Sequence, residues 1–365
     1  MATTAYGVNH PMAVKLWSKA LVTEALKETY VSRFMGKSND SLIVVKDELN
    51  KSKGDRVRIG LRMQLTAEGV IGDGTLEGSE EALTIYQDDL LIDQHRHAVR
   101  SAGKASEQRV NHNLRDEAKD GLKDWWANNI DRAFFNQVTG NTSVSQTLAG
   151  MNLPLAPTGT ASPSNAHIIY GSGTTSTTTS LTASSTASAS VRGLLMTPGV
   201  IDVALNLAKI AVPTMRPLRI NGQDKWVMFL HPNQVRSLRT NAAAGAVTWY
   251  DLMRARVEGG ERDNPLYNGG LGEYNGVILH ESSRIPDYAA SGNTTFRRGV
   301  LCGAQAAAFG TGRDHGGEKM SWFEELFDYG NQLGVEAGMI WGLKKLQFNA
   351  QDFGTMVCVT YAPNP

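Results

Sequence analysis

The chain has 365 residues, 41% of them hydrophobic, which is enough for one large core or two smaller ones. Its 36 Lys and Arg residues balance 36 Asp and Glu residues, and this balance disfavours tight binding of nucleic acid. Cys302 and Cys358 lack CxxC spacing, which argues against a disulfide scaffold or a cysteine zinc site and indicates a reducing compartment. No apolar stretch approaches the roughly 20 residues of a membrane helix, and the first residues lack a signal pattern.

An amphipathic helix is predicted over residues 12–31, ahead of anything that resembles a core, and we interpret it as an arm. From residue 54 the pattern changes to strict alternation. The apolar side carries Val57, Ile59, Leu61 and Met63, and the basic side carries Arg56, Arg58 and Arg62. This alternation predicts a strand with one wet face.

A second alternating run covers residues 83–99, and a Gly- and acid-rich tip, AEGVIGDGTLEGSEE, lies between the two runs. The acidic tip residues are Glu68, Asp73, Glu77, Glu80 and Glu81. A long isolated hairpin is only marginally stable in water. We therefore expect this one to lie on a neighbouring copy of the same protein, with the acidic tip and the basic strand face as intersubunit contacts.

The strongest pattern predicts one long helix over residues 103–138, ended by Gly140 and interrupted at some cost by Gly121. Its expected core positions are Leu114, Leu122, Trp125, Trp126, Ile130 and Phe134. Residues 139–195 are of low complexity and are expected to form a surface insertion. Mixed helices and strands follow from residue 198. A last strand at 355–361 is apolar enough to be central in a sheet.

Several motifs suggest chemistry but miss the pattern that it needs. Asp93, His95 and His97 could share one face of a strand as metal ligands, yet no second ligand cluster accompanies them. The tip glycines match no phosphate-binding loop, and the tip acids do not have calcium-loop spacing. The arginines of the basic face lack interleaved aromatic residues, so DNA contact is not expected as their main role. We predict no enzyme activity, catalytic residue, metal or cofactor.

The order of elements resembles the Hong Kong 97-type fold of tailed-phage major capsid proteins. Several segments are similar to the subfamily of short-tailed phages related to phage N-four, namely GDRVRIGLRMQLTAEGVIGDGTLEGSEEALTIY, WVMFLHPNQVRSLR, NPLYNGGLGEYNGVILHE and FDYGNQLGVEAGMIWGLKKLQFN. The resemblance implies an α+β capsid fold with five regions. These are an N-terminal arm (1–49), an extended β-hairpin loop (50–101), a peripheral domain with a spine helix and a Ser/Thr-rich insertion (102–197), an axial domain (198–312) and a return to the peripheral domain (313–365).

The same resemblance implies a virion protein, assembled in the host bacterial cytoplasm, whose main partner is itself in hexamers and pentamers. Further expected partners are a separate scaffold protein, a portal, a decoration protein and, by weak non-specific contact, packaged double-stranded DNA. The alternatives are another phage structural protein, such as a decoration, portal or tail component, and an enzyme built on His95 and His97.

Overall fold

Two mixed β-sheets and one long helix organise the residues that the computed structural model describes: 25, 29–47, 54–62, 65, 67–109, 114–141, 145–148, 151–154, 159–170, 174–175, 195–211, 214–220, 222–240, 272–286, 296–312 and 319–362. The helices are α1 Lys104–Gln108, α2 Leu114–Thr139, α3 Pro198–Ile210 and α4 Pro232–Thr240, with 3₁₀ turns at Tyr30–Phe34 and Asn165–His167. The strands are β1 Met35–Gly36, β2 Ile43–Lys46, β3 Arg56–Arg62, β4 Ile85–Leu91, β5 Asp93–Arg100, β6 Ser145–Leu148, β7 Met151–Pro154, β8 Ile168–Tyr170, β9 Thr174–Thr175, β10 Leu218–Ile220, β11 Gln223–Leu230, β12 Glu273–Tyr274, β13 Val277–Glu281, β14 Phe296–Cys302, β15 Ala307–Thr311, β16 Met320–Phe327, β17 Gln332–Lys345, β18 Gln347–Phe348, β19 Gln351–Asp352 and β20 Thr355–Tyr361. Most of the predicted arm helix and most of the Ser/Thr-rich tract lie outside the described residues.

A six-stranded sheet is built around β17. Its strand order is β1-β2-β15-β17-β16, and β5 pairs antiparallel with β17 from Gly334↔Arg100 to Trp341↔Asp93. β5 lies within the region 50–101 that is expected to form the extended loop, and in the structure it is a strand of this sheet.

An eight-stranded sheet contains the last strand. Its order is β12-β13-β11-β14-β20-β8-β9, with β10 paired to β11. β20 lies between antiparallel β14 and parallel β8, and its residues Met356–Val359 are buried on both faces, so the prediction of a central last strand is confirmed. The sheet joins β14, assigned above to the axial domain, to β20, assigned to the peripheral domain. The domain boundaries remain predictions.

Helix α2 corresponds to the long helix predicted over residues 103–138, and it is described from Leu114 onward. It runs over 26 residues, or about 39 Å, and the separate turn α1 precedes it. At its end Gly140 takes a φ of +65°. The Asn141 N–H bonds to the Asn136 carbonyl at 2.9 Å, and the Gly140 N–H bonds to the Gln137 carbonyl at 3.1 Å. This pair of bonds is a Schellman cap, and it confirms Gly140 as the terminator.

The largest hydrophobic cluster spans α2 and strands of both sheets, which holds the two sheets against the helix. Trp126 and Phe134 are fully buried within it, and Trp126 meets Trp341 of β17 edge-on with ring centroids 6.4 Å apart. Among the residues that the structure describes, no helix is long and apolar enough to cross a membrane.

Candidate assembly surface on the extended hairpin

Strands β3 and β4 form a two-stranded hairpin outside both large sheets. They pair antiparallel from Arg56↔Leu91 to Arg62↔Ile85. Val57 and Leu61 are buried, whereas Arg56 and Arg58 are exposed, so the predicted alternation is confirmed over the described residues. The hairpin therefore has one apolar face turned toward the body of the subunit and one solvent-exposed face.

The base of the hairpin is fixed to its own subunit. Val57, Leu61 and Leu90 share a hydrophobic cluster with Phe348 and Phe353 beyond β17. A polar contact reinforces this packing, because the Asp88 carboxylate lies against the Lys344 ammonium and accepts the Gln347 N–H at 3.1 Å. The sequence alone predicts a hairpin that has no support from its own chain. In fact the base is braced within the chain, and the tip is what extends beyond this bracing.

The tip combines exposed apolar residues with exposed acids. Every residue from 67 to 85 is exposed, including the predicted contact residues Glu68, Asp73, Glu77, Glu80 and Glu81. Glu80 accepts the Gly78 N–H at 2.7 Å, and Glu81 accepts the Ala67 N–H at 2.8 Å, so these two carboxylates help to shape the loop itself. The exposed large apolar side chains are Leu65, Val70, Ile71, Leu76, Leu83 and Ile85, and Ile71 is 92% exposed.

The basic strand face already has acidic neighbours within the chain. The Arg58 guanidinium donates to Asp89 at 2.9 Å across the hairpin, and this bond lowers the pKa of the Asp89 carboxyl. Arg56 lies 3.9 Å from Asp55. The side chain of Arg62 lies outside the described residues. The intersubunit role predicted for these three arginines stays a prediction, and Arg58 could reach a neighbour only in competition with Asp89.

The predicted core positions of α2 divide into three groups. Leu122, Trp126, Ile130 and Phe134 are buried, and Trp125 is partly buried. The side chain of Leu114 lies outside the described residues. Trp125 stacks on His97 of β5 with centroids 4.6 Å apart, so it caps the edge of the core instead of entering it.

The His95 and His97 pair serves packing in this structure. His95 Nδ1 accepts the Trp341 indole N–H at 3.2 Å, and burial lowers the pKa of His95. His97 is occupied by its stack on Trp125. No group of three His, Cys, Asp or Glu side chains that could hold a metal ion occurs among the described residues.

Two buried charged residues that the sequence did not reveal anchor distant segments. Asp131 of α2 is fully buried and accepts the N–H groups of Tyr30 and Val31 at 3.0 and 2.9 Å, with the Arg284 guanidinium 3.1 Å away. This carboxylate ties the 3₁₀ turn Tyr30–Phe34 to the long helix. Burial raises its pKa, and the Val31 N–H and Arg284 oppose that rise.

The second is Lys345, whose ammonium lies 2.9 Å from Asp352, with both side chains almost fully buried. Burial lowers the pKa of Lys345, and Asp352 opposes that shift. The Lys345 ammonium also donates to the Ser162 carbonyl at 3.1 Å, while Asp352 accepts the Ser164 N–H at 3.1 Å. The pair therefore holds the 159–170 segment against the end of β17.

Comparison with known proteins gives one consistent result. A profile of the family described as phage capsid protein matches residues 4–364. The major capsid protein of Pseudomonas phage KPP25 is 28% identical over 366 residues, which cover 93% of this chain and 93% of that protein. The capsid of Ralstonia phage GP4 is 33% identical with a TM-score of 0.74, covering 100% of this chain and 99% of that one. The Cyanophage Pam1 capsid asymmetric unit, 20% identical with a TM-score of 0.72 over 93% of this chain and 94% of that one, shares the fold.

Proposed function

This chain belongs to the phage capsid protein family, and on that premise we propose that it is the major capsid protein that tiles an icosahedral head around double-stranded DNA. The fold is of the Hong Kong 97 type, and the shell is built from hexamers and pentamers. The extended hairpin of each copy lies over an adjacent copy. The proposed function is self-assembly and involves no catalytic reaction.

The observation that carries the proposal is the contrast between the two ends of the hairpin. Asp88 and a hydrophobic cluster hold its base, while six large apolar side chains at or near its tip are exposed to solvent. Several large apolar side chains exposed within one loop are typical of a protein interface. The family to which the chain belongs points to another copy as the occupant.

Magnitudes favour the apolar residues of the tip over its charges. Full burial of one Leu or Ile side chain contributes about 1.5–3 kcal/mol. An exposed ion pair contributes up to about 1 kcal/mol. Docking Ile71, Leu76 and Leu83 therefore supplies most of the contact free energy. The charged residues have a different role, which is to set the register of the contact and to select the partner. They are the acids from Glu68 to Glu81 and the arginines of the basic strand face.

The finer features of the proposal rest on the quoted segment similarities. They include the phage N-four-related subfamily, the axial and peripheral domains, assembly in the bacterial cytoplasm and the use of a separate scaffold protein. A portal, a decoration protein and weak contact with packaged DNA complete the expected partners.

Electron microscopy of the full-length protein, produced together with the other head proteins of its phage, tests the function. We expect closed icosahedral particles. Deletion of residues 67–81 should leave folded subunits that form no shells. Rings, tubes or isolated subunits from the unaltered chain would favour a portal, tail or decoration protein and would contradict the proposal.

A matched pair of variants separates the apolar contribution from the charged one. Ile71→Asn with Leu76→Asn removes apolar contact and should abolish shells. Glu68→Gln with Glu77→Gln keeps the apolar residues and should retain them. Equal loss of shells in both pairs would contradict the ranking of the two contributions.

A further inference from the structure

A short hairpin after β17 contacts both the base of the extended hairpin and the buried Lys345–Asp352 pair. It consists of β18 and β19, joined by a turn in which Asn349 and Ala350 take φ values of +53° and +58°. Two-residue turns of this kind need a positive φ at both residues, which asparagine tolerates and alanine rarely adopts. Such strain persists only where the surroundings fix the backbone. The turn places Gln347 directly opposite Asp352 across the β18–β19 hairpin.

Gln347 makes its contacts to the two sides through different atoms. Its backbone N–H donates to the Asp88 carboxylate at 3.1 Å, at the base of the extended hairpin. Its side-chain amide donates to the Asp352 carboxylate at 2.7 Å. Both carboxylates are buried, so the two bonds are formed largely out of water, where loss of a partner is costly.

Asp352 continues this series of polar contacts to the end of α2. It pairs with Lys345 at 2.9 Å and accepts the Ser164 N–H at 3.1 Å. The Lys345 backbone N–H donates to the Gln137 side-chain oxygen at 3.4 Å. The Gln137 amide in turn donates to the Thr160 hydroxyl at 3.2 Å. The series therefore leads from the base of the extended hairpin to the last turns of α2 and to the segment around Ser164.

Apolar packing runs beside the polar contacts. Phe348 of β18 and Phe353, just after β19, meet edge-on with ring centroids 5.3 Å apart. Both rings belong to the hydrophobic cluster that contains Val57, Leu61 and Leu90 of the extended hairpin. Close-packed interiors transmit strain. A shift of the base of the extended hairpin should therefore also displace the β18–β19 hairpin.

We propose that Gln347 is a positioning residue that couples the base of the extended hairpin to the end of α2, through Asp88 on one side and Asp352 on the other. A displacement of the hairpin then reaches α2 and the segment around Ser164 through the interior of the subunit. Energetic coupling of this kind is carried by connected packed and hydrogen-bonded groups, which these residues supply. The part that the coupling plays in assembly rests on the proposed function, whereas the coupling itself is a property of the single subunit.

Hydrogen exchange of the full-length, unassembled subunit tests the side-chain bond of Gln347. Gln347→Met keeps the length of the side chain and the backbone N–H, but it removes the amide that donates to Asp352. Amide exchange over residues 164–167 should become at least fivefold faster. Gln351→Met is the matched control, since Gln351 is exposed on the same short hairpin, and it should leave these rates unchanged. Unchanged rates in Gln347→Met would overturn the proposal.

A double-mutant cycle separates transmission from a general loss of stability. Asp88→Ala acts at the far end of the series, and its effect on global unfolding is common to both backgrounds of the cycle. The factor by which Asp88→Ala speeds exchange over residues 164–167 should be at least threefold larger with Gln347 than with Gln347→Met. Equal factors in the two backgrounds would overturn the proposal. Neither measurement requires shells, so a failure of the unaltered chain to assemble would count against the proposed function alone.

Discussion

The Gln347 N–H donates to the Asp88 carboxylate at 3.1 Å, and this bond ties the second strand of the extended hairpin to the turn after β17. The same carboxylate neutralises the partly buried Lys344 ammonium. Contacts at residues 88 and 344–347 therefore fix the base of the extended hairpin and in this way position its tip.

Asp88→Ala should destabilise the unassembled subunit by about 1–3 kcal/mol, because it leaves the Gln347 N–H without its acceptor and the Lys344 ammonium with only the Asp89 carbonyl. Urea unfolding measures the change. Asp89→Ala is the matched control, since Asp89 is adjacent and pairs with exposed Arg58. Asp89→Ala should lower the free energy of unfolding clearly less than Asp88→Ala does. Equal losses would show that Asp88 does not anchor the hairpin.

Gly140→Ala should destabilise the subunit by about 1–3 kcal/mol, because alanine is strained at a φ of +65°. A Cβ there would also lie 2.5 Å from Pro163 Cδ. Gly121→Ala, on the same helix, meets nothing within 4 Å and should stabilise by up to about 1 kcal/mol. Thermal melts of both variants give the comparison, and a melting temperature unchanged by Gly140→Ala would show that the cap is dispensable.

Lys345→Met should cost about 3–5 kcal/mol, because it leaves the buried Asp352 carboxylate without its cation. Adding Asp352→Asn removes that stranded charge while keeping an acceptor for the Ser164 N–H. The double variant should therefore be more stable than Lys345→Met alone in urea unfolding. Additive losses would mean that the two side chains are not energetically coupled.

The subunit should lose stability as pH falls from about 6.5 to 4, in part through His231. Burial, with a smaller contribution from Arg297, lowers the pKa of His231 to about 4. The unfolded chain, with an ordinary histidine pKa near 6.5, binds more protons in this window, so acid favours unfolding. In the folded state His231 Nδ1 accepts the Asn233 N–H at the start of α4, which requires the neutral ring.

His231→Asn keeps a capping acceptor and removes the titration. Its free energy of unfolding should fall less between pH 7 and pH 5 than that of the unaltered protein. The other histidines are common to both proteins and cancel in the comparison. Identical pH dependence would exclude His231 as a contributor.

Local signals made part of this fold predictable. The alternation around Val57 and Leu61 indicated β3, the three- and four-residue spacing from Leu122 to Phe134 indicated α2, and Gly140 marked its end. Each depends on residues close together in the chain, where backbone geometry leaves few options.

Long-range pairing was not predictable from one sequence. Val99 pairs with Val335, and Asp131 bonds to Tyr30, across separations that no local pattern encodes. The pairing of His95 with Met339 of β17 is a further example. At the tip, the acids were conspicuous in the sequence, whereas Ile71 and Leu76 show no periodicity and became candidate contacts only when their exposure was known.

The proposed function requires that the tip of the extended hairpin be buried against a neighbouring copy. Maleimide labelling of Ile71→Cys, compared between unassembled subunits and purified shells, tests it most directly. We expect rapid labelling in subunits, where position 71 is 92% exposed, and strong protection in shells. Equally rapid labelling in intact shells would contradict it.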